Sequence, residues 1–167
     1  MELNLHDIHA NSIELALDRA RQYRSLMEPE MAESICLDIL NVEEDNQQAL
    51  VLYILSLSDQ LRHPEKQAQI KVIQQSIEKL ESEYRRYYYT GLLNERQARF
   101  LLSQPMSRSF AYEYLIEALQ FYQQAEQLRP ENNDEAILRW NSCIRTIQKE
   151  KLEPKRDDED VLIDMES

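Results

Sequence analysis

The sequence predicts an all-α protein built from antiparallel helix pairs, and three observations carry that prediction. Its 167 residues include one Gly and five Pro, too few for the tight turns of a many-stranded protein. Apolar residues recur at offsets of three and four along most of the chain. The breaks between these runs are short and polar, as helix-to-helix connections are.

The first run, over residues 13–26, puts Ile13, Ala16, Leu17, Ala20, Tyr23 and Leu26 on one helical face. "MEPE" (27–30) interrupts it, and Pro29 suits the first turn of a second helix. Met31, Ala32, Ile35, Cys36, Ile39 and Leu40 form the second stripe. "NVEEDN" ends that stripe, with Asn46 or a neighbour capping a third helix. This helix carries Ala49, Leu50, Tyr53, Ile54 and Leu57 towards "RHPEK", where Pro64 marks a turn. A fourth helix aligns Ile70, Ile73, Ile77 and Leu80. A fifth begins between residues 81 and 89 and runs through Leu92, Leu93, Ala98, Phe100 and Leu101. No breaker marks the fourth-to-fifth boundary, and one long bent helix fits the same pattern. "SQPMSRS" (103–109) is a clear break. The sixth helix carries Tyr112, Leu115, Ile116, Leu119, Tyr122, Ala125 and Leu128. The seventh starts near Asp134 and carries Ile137, Leu138, Trp140, Ile144 and Ile147. The pattern therefore divides the chain into a helical domain over 1–152 and a tail over 153–167. The tail holds seven acidic residues against Lys155 and Arg156, a net of −5. Such a composition predicts disorder, although "VLIDM" within it is apolar enough to dock on Arg21, Arg24 or a Tyr/Arg surface.

The whole chain is 43% hydrophobic and 30% charged, with a net charge of −12 and a pI near 4.7. That acidity excludes generic nucleic-acid binding, because phosphates would be repelled, and it excludes anionic membrane surfaces for the same reason. Apolar runs such as "ALVLYIL" (49–55) are far too short to span a bilayer. The N-terminal stretch has no charged n-region or long apolar run, so no signal peptide is expected. Cys36 and Cys143 sit inside helical stripes without metal-like spacing. They read as reduced core residues, which makes the expected location cytoplasmic.

Two stretches repeat one another. "LDILNVEEDNQQALVLYILSL" (37–57) and "AEQLRPENNDEAILRWNSCIR" (125–145) each end one helix, cross a polar break and start another. Ala20, Tyr23, Ala32, Cys36 and Ile39 follow the small-and-large spacing of a repeat of about 34 residues. Ala118, Tyr122, Ala125 and Pro130 follow it again. In these residues the chain resembles the tetratricopeptide repeat (TPR) family. Glu44 stands where that family usually has its terminating Pro. The middle is longer than the repeat allows: Gly91 in "RYYYTGLL" marks a tight crossing, yet about 15 residues separate it from the next fit. The resemblance implies a short α-solenoid with residues 134–151 as its capping helix. It also implies a concave groove lined by the first helix of each pair: Glu14, Leu17, Arg21 and Arg24; Gln48, Val51, Leu55, Ser58 and Asp59; Leu138, Ser142 and Arg145. The Lys and Asn set with which some family members clamp a carboxylate is missing at these positions.

Other clusters have simpler readings. His6, Asp7 and His9 lack the further ligands a metal needs and are expected on a solvated N-terminal helical turn. Tyr84, Tyr87, Tyr88 and Tyr89 beside Arg85, Arg86, Arg96 and Arg99 read as packing between helices, with hydroxyls at the surface and arginines paired to Glu81, Glu83 and Glu95. The alternative there is a peptide or base-stacking site. Trp140 reads as core, with Glu135 and Arg139 pairing across one turn. There is no phosphate loop, nucleophile elbow or His-Glu metal motif, so neither enzyme activity nor a cofactor is expected. The expected function is an adaptor or scaffold that binds a protein or peptide partner. The alternatives are a small acidic chaperone for a secreted client and a homo-oligomerisation module.

Overall fold

A computed structural model describes residues 1–155. The expected acidic tail lies outside the described residues from position 156 onward. Among the described residues there is no strand. The α-helices are α1 (Ile13–Ser25), α2 (Pro29–Val42), α3 (Gln47–Asp59), α4 (Gln69–Glu78), α5 (Glu83–Ser103), α6 (Arg108–Gln127) and α7 (Glu135–Glu150). Short 3-10 turns occupy Ala10–Ser12 and Pro64–Lys66. None of these helices is long and apolar enough to cross a membrane.

The helix ends follow local chemistry. Pro29 opens α2, where its missing N–H costs nothing. The Asn46 side chain accepts a hydrogen bond from Ala49 N at 2.9 Å and caps α3. Ser82 does the same for α5 through Arg85 N at 3.2 Å. The boundary that no breaker marked is thus a full break. Gln47 of α3 fastens it, accepting from Glu81 N at 3.0 Å, and Arg86 donates to the carbonyls of Leu80 and Glu81. Residues 1–9 form no helix, contrary to the expected first turn; Asp7 accepts instead from Asn41 of α2 at 2.9 Å. No cluster of His, Cys, Asp and Glu among the described residues could hold a metal ion.

Each helix packs on the next in sequence, and in addition α1 touches α3 and α3 touches α5. The apolar stripes bury as their periodicity predicts: Ala20, Ala32, Cys36, Ile39, Leu115, Ala118, Tyr122 and Ala125 are all fully buried. Helix α3, touched by four others, also buries Ser56 and Ser58. Their hydroxyls return to the carbonyls of Leu52 and Ile54 at 2.6 Å, so no polar group is orphaned there. The closest crossing is α5 on α6. A Cβ built on Gly91 would lie 2.7 Å from Cε1 of Tyr122 and 3.3 Å from the Ala118 carbonyl. Past Gly91, α5 runs on to Ser103 before the chain turns into α6, about 18 Å of additional helix at the standard rise.

Candidate functional site

A cleft of about 480 Å³ opens between the ends of α1 and α3 and the C-terminal half of α5. Arg24 and Met27 come from the end of α1 and the turn after it, Ser58 and Asp59 from α3, and Arg62 from the link to α4. Arg96, Arg99, Phe100 and Ser103 come from α5. Positions 96, 99, 100 and 103 share one helical face, which is why they converge.

Four guanidinium groups and one carboxylate therefore line a cleft in a chain whose net charge is −12. Arg24 grips Asp59 with two hydrogen bonds, at 2.7 and 3.2 Å. Arg96 stands 3.5 Å from the same carboxylate, and its Nε is buried with no acceptor among the described residues. Burial disfavours the charged form of Arg96 despite Asp59, with Arg139 and Arg24 adding repulsion, so its pKa moves down. Arg96 shares the Asp59 carboxylate with Arg24. Arg62 is exposed, and its Nε lies 3.4 Å from His63. None of the described carboxylates pairs with it.

Arg99 is held from behind. Its Nε donates to Glu95 at 2.9 Å, its Nη2 to Ser142 at 3.1 Å and its Nη1 to Thr146 at 3.2 Å. Glu95 is completely buried and also receives Arg139 at 3.3 Å, the Tyr122 hydroxyl at 3.0 Å and the Cys143 thiol at 3.4 Å. Burial alone would raise the Glu95 pKa. The hydrogen bond and charge of Arg99, with Arg139 and Tyr122, outweigh it and hold the carboxyl below its ordinary value. This anchor fixes α5 to α6 and α7 and sets the direction in which Arg99 leaves the helix. Burial, with Glu95 close by, pushes the Cys143 thiol up to about 12, so it is no nucleophile.

The expected groove residues divide. Arg24, Ser58 and Asp59 line the cleft. Leu17 does not: it is fully buried among Ile13, Ala20 and Cys36, because the stripe that makes α1 amphipathic turns it into the core. Val51 and Leu55 pack against the larger core, and Arg21 pairs with Asp18 at 2.9 Å and donates to Gln48 of α3, outside the cleft lining. Leu138 and Arg145 are exposed on α7 outside the cleft. Ser142 reaches it only through Arg99. The tyrosine cluster packs between helices as expected, Tyr84, Tyr88 and Tyr89 being buried, but the Tyr84 hydroxyl is buried rather than at the surface, Arg96 stands against Asp59, and other expected pairings differ. Arg139 takes Glu95 rather than Glu135, and Arg86 caps carbonyls rather than pairing with Glu83. Arg96 and Arg99 belonged to the alternative peptide-site reading, whereas Arg62, Phe100 and Ser103 were missed as lining residues. The helical spacing of Arg96, Arg99, Phe100 and Ser103 is the signal that could have joined them on one face. Comparison with known proteins returns no matching family model, no matching curated protein and no matching solved structure.

Proposed function

We propose that the chain is a protein–protein interaction module of tetratricopeptide type, an adaptor or scaffold that holds a segment of a partner protein in the cleft between α1, α3 and α5. The observation that carries this reading is the sign of the cleft. Net positive charge costs self-repulsion, and here four guanidinium groups share the Asp59 and Glu95 carboxylates around a concave site of an otherwise acidic chain. Such a site raises the local concentration of oppositely charged ligands and orients them. The helix pattern supports the repeat reading: the first helices of successive pairs touch in series, and Ala20, Ala32, Ala118 and Ala125 are buried where helices cross. The lengthened third pair keeps its close crossing at Gly91 and Tyr122 and gains its extra residues at the hairpin end.

The test is affinity capture from the native cytosol with the full chain and with Arg62→Glu. A discrete partner at fixed stoichiometry that Arg62→Glu fails to retain supports the module. Recovery of the chain alone, at a mass that rises with concentration, sinks it in favour of self-association.

A further inference from the structure

We infer that the partner segment seated in this cleft is an acidic one with large apolar residues immediately beside its carboxylates. The inference rests on the adaptor reading and adds its chemistry. The cleft does not stop at the arginines. A second hollow of about 680 Å³ continues from it and shares Met27, Pro29 and Arg62 with the first. Tyr23 and Met31 add apolar surface there. Met27 is 71% exposed and Met31 45%; unbranched thioether side chains of this kind mould to irregular apolar partners. Glu28 and Glu30 also line this second hollow and would repel further carboxylates. Charge therefore has a direction along the groove. Anions are drawn to the net positive charge that Arg24, Arg62, Arg96 and Arg99 hold over Asp59 and Glu95, with Arg62 the one among them that has no carboxylate among the described residues. Apolar side chains are drawn to the methionine end. A uniformly acidic segment fits only half of it, and a basic segment fits the arginine half not at all.

Arg62 stands at the junction and is exposed, so it can turn to a ligand without unfolding anything. Met27 offers a check of opposite sign. It ends α1 in the left-handed region, with φ at 62°, where the Glu28 N–H returns to the Tyr23 carbonyl at 2.9 Å. Glycine is the relaxed residue at that position. Met27→Gly should therefore hold the fold at least as well while removing apolar surface from the groove.

The experiment is fluorescence polarisation of the full chain with labelled hexapeptides, four acidic residues joined to a leucine pair, in both orders. Controls replace the acids by lysine, or the leucines by serine or by more acids. One order of the acidic-leucine probe should bind, with every control weaker by about tenfold or more. Arg62→Glu should lose about tenfold, and Met27→Gly should bind more weakly at an unchanged or higher melting temperature. Equal binding of the lysine probe, or indifference to Arg62→Glu, overturns the chemistry. A partner captured as above would then leave the adaptor reading standing, whereas absence of both would remove it too. A full chain carrying D157N, D158N, E159Q and D160N that binds the probe more than about tenfold tighter overturns the commitment to a partner and makes the chain's own acidic stretch the occupant. A concentration-dependent mass that the probe reverses assigns the groove to a second copy and overturns it equally.

Discussion

At Gly91 an added methyl group has nowhere to go. Tyr122, the side chain it would strike, is itself fully buried and bonded to Glu95. Alanine in mid-helix normally gains about 1 kcal/mol over glycine, but overpacking a tight site costs roughly 1–3 kcal/mol. Gly91→Ala should therefore destabilise by up to about 2 kcal/mol net, read as a lower urea midpoint; a higher midpoint would show that the crossing can open. Glu95 supplies the second test. Its folded pKa lies below the ordinary 4.5, so its contribution is complete above that value and is lost as pH falls through the folded value. Glu95→Gln should cost stability at neutral pH, of order 3 kcal/mol for an ion pair broken from its buried side, at the low end because Arg99 and Arg139 can still turn to water. The gap between variant and wild type should close as the pH drops below 4.5. A gap that persists in acid would mean that shape, not charge, is what Glu95 contributes.

At the scale of the helices, what could be read in advance depended on whether the cause was local. The α2 start at Pro29 and the α3 cap at Asn46 are written in adjacent residues, and both were legible. Asn46→Ala should accordingly weaken the fold by about 1 kcal/mol, measurable by chemical denaturation. The break over residues 79–82 carried one local signal that was passed over, the Ser82 cap, while its other fastener, Gln47, lies more than thirty positions away. Leu17 was misplaced for a related reason. The family pattern names the face a helix turns to its groove, but only tertiary packing decides how far that face rotates. The cleft shows both sides. Arg24, Ser58 and Asp59 were expected groove residues and line the cleft, while Arg96, Arg99 and Phe100 reach it through the packing of α5 beside α3. Length beyond a pattern is visible in a sequence; what that length covers is not.

Taken together, the described residues form two apolar centres. Ile13, Leu17, Ala20, Cys36, Ile39, Ala49 and Leu52 form the smaller, between α1, α2 and the start of α3. The larger runs from α3 through α7, with Leu92, Leu115 and Tyr122 at its heart. Leu40 and Tyr53 touch both. A small cluster joined by so narrow a bridge should open more readily than a large one. Native-state hydrogen exchange should thus give α1 and α2 amides a lower opening free energy than those of α5 and α6. A single value across all helices would mean that the two centres act as one.

The cleft straddles that bridge. Arg24, Met27 and Pro29 belong to the side of the smaller centre, and Arg96, Arg99 and Phe100 to the larger. A segment lying across it would tie the two sides together, adding about 2.7 kcal/mol to the opening of α1 and α2 at a hundredfold excess over its dissociation constant. Occupied and empty copies would then differ in lifetime as well as in contacts. In a proteolytic environment the empty copies would be cut first at the loosened N-terminal pair, and the surviving pool would track the supply of ligand.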